Sequence, residues 1–494
     1  MIWLKPDILP WEGELPPNLM LDEKFIVRKK VRGRFRIALV YPSTYKVAIS
    51  NLGLRIIYHL LNLEDQIYCE RFTAESGRSL ETGSRLKEFD LIMFCYQYEP
   101  DLLEIARLIT EFNLFDKPKL VGGPCACNPF PLKKLVDYVY IGEAESKLMN
   151  LIEGIMEGRR PEELASLEGV FVSSASEAAV RAYPKKLNTP LPACQVSSRL
   201  SIFGDALLLD VSRGCRWGCL FCLGRRIYAP YRERDLSQLA EVIEEGMMKG
   251  GYEAIALISS DLCSYSRLEE LLELVEDLRK AKEFRLIAPS LRADALNEKL
   301  LEALAESGEK TITLAPESSE DLRYRIGKAF PDERLLEVCK LLKRIGISRV
   351  KLYFMFGLPE ETLKDLEAIV KLVEEIRRAG LEVRVSANPF VPKPHTPMED
   401  EELEDLKSLK EKLKFLRREL GGILATNGLR QAYLQAAISR GDEKIGSLIL
   451  ECAKRYGRLT LTALRREARR MKMNLDEYAR RGSEEKPWRR IKLT

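Results

Sequence analysis

Three cysteines lie within eight residues of one another, at Cys215, Cys219 and Cys222, in a loop that also contains Gly214 and Gly218. Thiolates are the usual ligands of iron–sulfur clusters, which normally take four of them. A zinc site would need a fourth ligand, yet no cysteine or histidine follows closely behind Cys222. Three thiolates would leave one iron of a cubane cluster open. The spacing therefore predicts an iron–sulfur cluster that can bind a chelating small molecule.

This cysteine loop follows a short apolar run at residues 206–210. Similar strand-like runs recur, with helical segments between them, at residues 254–258, 285–288, 311–315, 349–354 and 382–387. Six βα units are too few for a complete eight-stranded barrel, so the pattern predicts a partial (β/α)6 barrel of the TIM type over residues 206–400. After Pro397 no further strands are expected, and residues 401–494 are predicted to form a basic helical C-terminal region.

A second alternation of strands and helices precedes the barrel. After an N-terminal arm at residues 1–35, residues 36–40 form a first predicted strand and residues 91–94 a second, with helical spacing at residues 52–62. The pattern favours an α/β domain with a doubly wound, Rossmann-like sheet over residues 36–160. Such sheets bind ligands at the carboxyl ends of their strands. Residues 161–205 show little periodicity and are predicted to be a linker.

The spacing Cys215-x3-Cys219-x2-Cys222, with Phe221 before the third cysteine, resembles the signature of the radical S-adenosylmethionine (SAM) superfamily. The resemblance implies that the three cysteines hold a [4Fe-4S] cluster, that SAM chelates its unique iron, and that an external electron donor drives cleavage of SAM to a 5′-deoxyadenosyl radical. It also implies a six-unit barrel with SAM contacts near the strand ends. The residues expected to contact SAM are Ser260, Asp261, Arg292, Glu317, Ser318, Lys351 and Asn388. For Arg292 and Glu317 the alternative is a structural ion pair.

Segments 121–124 and 141–145 resemble parts of the cobalamin-binding domains that are fused to many radical SAM enzymes. The resemblance implies cobalamin as a cofactor, with contacts expected at Tyr45, Tyr96, Gln97, Gly122, Gly123, Pro124 and Glu143. One departure stands out, because residues 41–46 read Tyr-Pro-Ser-Thr-Tyr-Lys where such domains can carry the axial histidine of an Asp-x-His-x-x-Gly loop. His59 is expected to be a packing or surface residue of its helix. A domain that no longer binds cobalamin therefore remains an alternative.

Composition limits the class of protein. The 494 residues are 46% hydrophobic and 31% charged, which excludes a mostly disordered or fibrous chain. No apolar run is long enough for a membrane span and the N-terminus lacks the apolar stretch of a signal peptide, so a cytoplasmic location is expected.

Residues 453–494 carry fourteen Lys and Arg against five Asp and Glu. This excess indicates either a solvated helical surface or contact with a polyanion such as RNA.

The sequence therefore predicts a radical SAM enzyme that performs cobalamin-dependent methylation of an unactivated carbon. Two alternatives stay open. One is a cobalamin-independent radical modification of RNA or another substrate, and the other is a non-enzymatic cobalamin or redox sensor that binds nucleic acid. No side chain is indicated as a catalytic hydrogen donor, and the substrate is not indicated either.

Overall fold

A computed structural model describes residues 22–189, 191–289, 291–457 and 459–493. The described residues form two compact units, one made of residues 206–433 and the other of residues 22–205 with residues 434–493. Of the predicted N-terminal arm, residues 1–21 lie outside the described part of the chain. Within that part, no helix combines the length and the apolar character that crossing a lipid bilayer would require.

The unit that begins at residue 22 is built on a six-stranded sheet with the order β2-β1-β3-β4-β5-β6. The first five strands are parallel, and β6 is antiparallel to β5. The strands are β1 (Phe35–Tyr41), β2 (Ile67–Thr73), β3 (Leu91–Cys95), β4 (Lys119–Gly122), β5 (Tyr138–Tyr140) and β6 (Val170–Val172). Because the strand order reverses between β1 and β3, the ligand crevice of such a sheet lies at the carboxyl ends of these two strands. The predicted doubly wound sheet is confirmed.

Five helices accompany this sheet: α1 (Tyr45–Ile49), α2 (Leu52–Leu63), α3 (Asp101–Glu111), α4 (Ala144–Met156) and α5 (Pro161–Ala165). The amphipathic α2 begins where the Asn51 side chain accepts a hydrogen bond from the Leu54 N–H at 2.9 Å, which satisfies one of the free donors of its first turn. Its apolar face packs on the sheet through Leu54, Tyr58 and Leu61. The helical periodicity of residues 52–62 therefore predicts the element correctly.

Two predictions for this unit are wrong. The strand at residues 91–94 is the third along the chain, because β2 precedes it. All seven residues of β2 are buried, but Glu70 and Arg71 interrupt its apolar pattern. Glu70 accepts a hydrogen bond from Arg36 at 2.6 Å, and Arg71 lies 2.7 Å from carboxylate oxygens of both Glu23 and Glu81. These buried ion pairs neutralise Glu70 and Arg71, the charged residues that prevent the strand from being recognised by its apolar pattern. The predicted linker also contains α5, β6 and β7 (Ala179–Val180).

The other unit contains six parallel strands alternating with helices, which confirms the partial barrel. Together with two two-residue strands, the antiparallel β9 and the parallel β15, they lie in two four-stranded sheets, β11-β10-β8-β9 and β12-β13-β14-β15. A parallel bridge between Leu291 and Leu314 links the segment after β11 to β12. The strands are β8 (Ala206–Arg213), β9 (Arg232–Glu233), β10 (Ala254–Ser259), β11 (Arg285–Ile287), β12 (Thr311–Glu317), β13 (Arg349–Phe356), β14 (Glu382–Pro389) and β15 (Leu424–Ala425). The helices are α6 (Leu223–Ile227), α7 (Leu236–Glu245), α8 (Leu268–Ala281), α9 (Glu298–Glu306), α10 (Glu320–Arg325), α11 (Asp332–Arg344), α12 (Leu363–Arg378) and α13 (Leu406–Leu420).

The end of the chain contains α14 (Leu429–Ser439), α15 (Glu443–Tyr456), α16 (Leu461–Arg470), α17 (Leu475–Arg481) and β16 (Ile491–Lys492). The expectation that strands stop after Pro397 is wrong, because β15 pairs with β14 and β16 pairs with β7. From residue 434 onward this segment packs on the sheet unit. Asn128 Nδ2 donates to the backbone oxygens of Ser439 and Gly441 at 3.0 and 2.9 Å. The predicted C-terminal region at residues 401–494 is thus divided between the two units.

Candidate functional site

The three cysteines follow the carboxyl end of β8, the strand that opens the barrel. The chain leaves β8 at Gly214, whose φ is +88° and where a Cβ would lie 2.8 Å from Tyr231 Cα. Only glycine fits this turn without strain. Cys215 and Cys222 are partly exposed, Cys219 is 9% exposed, and Cys222 immediately precedes α6. The sequence therefore presents the three thiols from one short loop at the barrel rim.

This cysteine loop is pinned to the chain that follows α10. The Leu220 N–H donates to the Ile326 carbonyl oxygen at 2.9 Å. Gly327 has a φ of +74°, and a Cβ at that position would lie 2.6 Å from the Gly218 oxygen. Leu220 and Phe221 also pack against an apolar cluster formed by Leu322, Ile326, Leu358, Phe390 and Met398. The backbone of the loop is held by residues about a hundred positions further along the sequence.

Burial governs the acidity of the thiols. It raises the pKa of Cys215 to about 11, while a hydrogen bond from the Trp217 backbone N–H acts in the opposite direction. Burial also raises the pKa of Cys219, and the positive charges of Lys328 and Arg292 oppose that rise. Binding of iron must therefore displace thiol protons, because the thiolate is the form that binds metal.

The donor set of the cysteine loop fits a [4Fe-4S] cluster. In such a cluster the ligands are cysteine thiolates. Three thiols lie on one glycine-containing loop, two of them partly exposed, and the cations Arg292 and Lys328 act on Cys219.

A buried carboxylate lies next to this loop, and no cation among the described residues pairs with it. Asp261 follows β10, is 4% exposed, and its Oδ2 has no hydrogen-bond partner. Its charge contributes to the raised pKa of Cys215, which shows that the two groups are close. The Oγ of Ser318, after β12, is likewise buried and unsatisfied, as is the Trp217 Nε1 in the cysteine loop. Buried polar atoms are rarely left unsatisfied, so a polar ligand with a positive charge fits here.

Two other predicted SAM contacts lie at strand ends and already have protein partners. Glu317 Oε1 accepts a hydrogen bond from Lys328 Nζ at 2.8 Å, and both side chains are buried. The φ of Glu317 is +71°, a strained value for a residue with a Cβ. Asn388 Oδ1 accepts from the Asn427 N–H at 2.8 Å. Ser260 is half-buried between Ser259 and Asp261.

The structure does not bring Lys351 to the strand ends. Lys351 pairs in register with Thr313, whereas the end of β12 at Glu317 is level with Phe354. Three residues of strand correspond to about 10 Å, and the Lys351 Nζ lies 5.2 Å from the ring centroid of Tyr353. Arg292 does lie beside the cysteine loop, where its Nη1 is 3.3 Å from Cys219 Sγ.

In the sheet unit, the predicted cobalamin contacts divide into two groups. Tyr96, Gly122, Gly123 and Pro124 lie together at the ends of β3 and β4, and a Cβ on Gly123 would lie 2.5 Å from the Tyr96 oxygen. Gln97 is half-buried beside them. By contrast, the Tyr45 hydroxyl donates to Glu23 at 2.5 Å, and Glu143 is buried with Arg181 at 3.8 Å.

Several site residues were missed from the sequence, namely Trp217, Asp294, Lys328 and Thr44. Lys328 pairs with Glu317, eleven positions earlier, which only the fold brings near. Asp294 pairs with Arg292, two positions earlier, so this local spacing was a usable signal. Trp217 lies inside the cysteine motif, so its position was a usable signal. The buried Thr44 Oγ1, which has no hydrogen-bond partner, follows β1 at the predicted crevice.

Comparison with known proteins agrees with this geometry. Residues 209–373 match the family described as the radical SAM superfamily, and residues 53–172 match the family described as radical SAM proteins, N-terminal. The uncharacterized protein MJ0966 of Methanocaldococcus jannaschii is 32% identical over 474 residues, which cover 92% of this chain and 98% of that protein. A putative methylthiotransferase of the same organism, MJ0865, is 29% identical over 244 residues, or 47% of this chain and 51% of that protein.

Two solved structures share the fold. The radical SAM methyltransferase TsrM of Kitasatospora setae, with cobalamin and a [4Fe-4S] cluster bound, superposes with a TM-score of 0.55 at 18% identity, covering 74% of this chain and 77% of TsrM. The cobalamin-dependent SAM radical enzyme OxsB, with aqua-cobalamin bound, gives 0.55 at 13% identity, covering 90% of this chain and 72% of OxsB.

The chain belongs to the radical SAM superfamily. The predicted superfamily and fold class are confirmed, and so is the prediction of a radical SAM enzyme. That class binds SAM at a [4Fe-4S] cluster and requires an electron donor.

The close approach of Gly327 to Gly218 provides a test of the cysteine loop. The substitution Gly327→Ala should lower the iron and sulfide bound per chain after anaerobic reconstitution by about twofold or more, because the new Cβ pushes on the Gly218 carbonyl. Gly346→Ala is the matched control, since Gly346 also has a positive φ of +86° but no atom within 4 Å of its Cβ position. Equal cluster content in the two variants would contradict the pinning of the loop.

Proposed function

We propose that this protein uses a cluster held by Cys215, Cys219 and Cys222 to cleave SAM, and that it transfers a methyl group from a second SAM molecule, by way of cobalamin, to an unactivated carbon. The observation that carries the first part is the buried Asp261 carboxylate beside the cysteine loop, which has no cation partner among the residues that the structure describes. SAM carries an ammonium and a sulfonium group, and either would supply the missing positive charge.

The roles of the protein residues follow from their positions. A [4Fe-4S] cluster held by the three cysteines would supply, when reduced by an external donor, the electron for reductive cleavage of SAM. Cys215, Cys219 and Cys222 would each bind one iron, while Asp261 holds a cationic part of SAM. Ser318, whose Oγ is buried and unsatisfied, can donate or accept one further hydrogen bond. Glu317 is oriented by Lys328 at 2.8 Å, so its second oxygen can accept from a ligand hydroxyl.

Cobalamin is proposed for the crevice between β1 and β3. The support is the reversal of strand order at this point, together with the shared fold of TsrM and OxsB, both solved with cobalamin. Glycines at 122 and 123 leave the backbone accessible to a large ligand, and Thr44 offers an unsatisfied hydroxyl. The segment between β1 and α1 contains no histidine, so this loop would provide no imidazole as an axial ligand.

The proposed cobalamin site predicts binding that is independent of the cluster. After anaerobic reconstitution with iron, sulfide and hydroxocobalamin, followed by desalting, the visible spectrum should show corrinoid bands at close to one per chain beside the cluster absorbance. Cys222→Ala should lose cluster absorbance but retain the corrinoid, because the two sites use different residues. Cluster absorbance without corrinoid in the wild-type chain would contradict methyl transfer through cobalamin.

A second candidate function, radical modification of RNA, is favoured by the charge of the helices α15 and α16. Arg455 and Arg470 share one buried carboxylate, that of Glu467, at 3.3 and 3.6 Å. Arg466, Arg469 and Lys472 are exposed, and the described residues place no acidic side chain within ion-pair distance of them. This surface therefore keeps an excess of positive charge, which suits a phosphate backbone.

If RNA binds this surface, its affinity must depend on salt through these cations. The triple variant Arg466→Gln, Arg469→Gln, Lys472→Gln should reduce the slope of log K against log salt for bulk transfer RNA by about 2 to 3, because each phosphate contact contributes about 0.7 to 0.9. The control removes three exposed cations of α13, as Lys410→Gln, Lys414→Gln, Arg417→Gln. Equal slopes for both triple variants would eliminate this surface as an RNA site.

A further inference from the structure

Arg292 contacts the cysteine loop through its guanidinium group. Its Nη1 lies 3.3 Å from Cys219 Sγ and donates a hydrogen bond to that sulfur. The Nε and Nη2 donate to the two carboxylate oxygens of Asp294, at 2.8 and 2.7 Å. A guanidinium that forks onto a carboxylate is fixed in its plane. The remaining N–H is therefore aimed at the sulfur by Asp294.

A second contact fixes the same group from another side. The Cζ of Arg292 lies 4.1 Å from the ring centroid of Trp217, and Trp217 stands between Cys215 and Cys219 in the cysteine loop. The Arg292 and Asp294 side chains are each 12% exposed. Little water reaches the group to screen its charge, so its electrostatic effect on the adjacent sulfur is stronger than at an open surface.

The Arg292–Asp294 pair is close to neutral as a whole, but its positive end faces the sulfur. Hydrogen bonds and positive charge at the cysteine sulfurs of an iron–sulfur cluster stabilise the reduced state, which carries one more negative charge, more than the oxidised state. Such groups outside the ligand set tune a metal centre without binding it.

We propose that Arg292 is a positioning residue that raises the reduction potential of the cluster bound through Cys219, and that Asp294 orients it. This role differs from the SAM contact expected from the sequence. It rests on the proposed ligand set, because it requires Cys219 to bind iron.

The test is a redox titration with dithionite as the one-electron reductant, followed by electron paramagnetic resonance of the reduced cluster in the reconstituted full chain. Arg292→Met should shift the midpoint potential to more negative values, and Arg292→Lys, which keeps a cationic donor, should shift it less. Arg216→Met is the control, since Arg216 lies in the same loop but contacts Glu233 at 3.3 Å and the Tyr231 ring at 4.4 Å.

A midpoint potential of Arg292→Met equal to that of Arg216→Met, at full iron content, would overturn the inference. If Arg292→Met takes up no cluster, the test is made with Arg292→Lys instead. A midpoint potential of Arg292→Lys no more negative than that of Arg216→Met would then overturn the inference. Iron content separates this failure from that of the proposed ligands. If Cys219→Ala retained the iron content and spectrum of the wild type, the ligand set itself would be wrong, and the inference would fall with it.

Discussion

The placement of three thiols on one short loop is the constraint on which the barrel unit depends. Such a loop has few backbone hydrogen bonds of its own, so its shape must be imposed from outside. The segment after α10 fixes this shape, because the Ile326 carbonyl oxygen accepts a hydrogen bond from the Leu220 N–H and Gly327 approaches the Gly218 oxygen. The missing Cβ of Gly327 allows a contact that a side chain at this position would prevent. The loop after β8 is therefore held by the segment after α10.

Charged side chains surround the cysteine loop that the backbone contacts hold in place. Within the described part of the chain, the buried Asp261 carboxylate has no cation partner, whereas two cations beside Cys219 are each oriented by an acidic residue. Arg292 is held by Asp294, and Lys328 by Glu317. An unpaired buried carboxylate is costly. Its retention next to three thiols is explained if a cationic ligand belongs there, and SAM has the required charge.

The sequence was informative where the chemistry is local. The cysteine spacing, the strand ends at Asp261 and Ser318, and the alternation of both units could be predicted because each depends on neighbouring residues. Strand β2 could not, since Glu70 and Arg71 break its pattern and are neutralised by Arg36, Glu23 and Glu81 from elsewhere in the chain. The packing of residues 434–493 on the sheet unit could not be predicted from the sequence for a related reason. It depends on single distant contacts such as that of Asn128 with Ser439 and Gly441.

The central claim is that Cys215, Cys219, Cys222 and Asp261 together form a site that cleaves SAM. The most direct measurement is the 5′-deoxyadenosine formed by the anaerobically reconstituted chain with SAM and dithionite. We expect 5′-deoxyadenosine from the wild type and none above background from the variant with all three cysteines changed to alanine. Asp261→Asn, which loses a buried charge contact, should form about tenfold less or lower still. A wild-type chain with a full [4Fe-4S] cluster that formed no 5′-deoxyadenosine would contradict it.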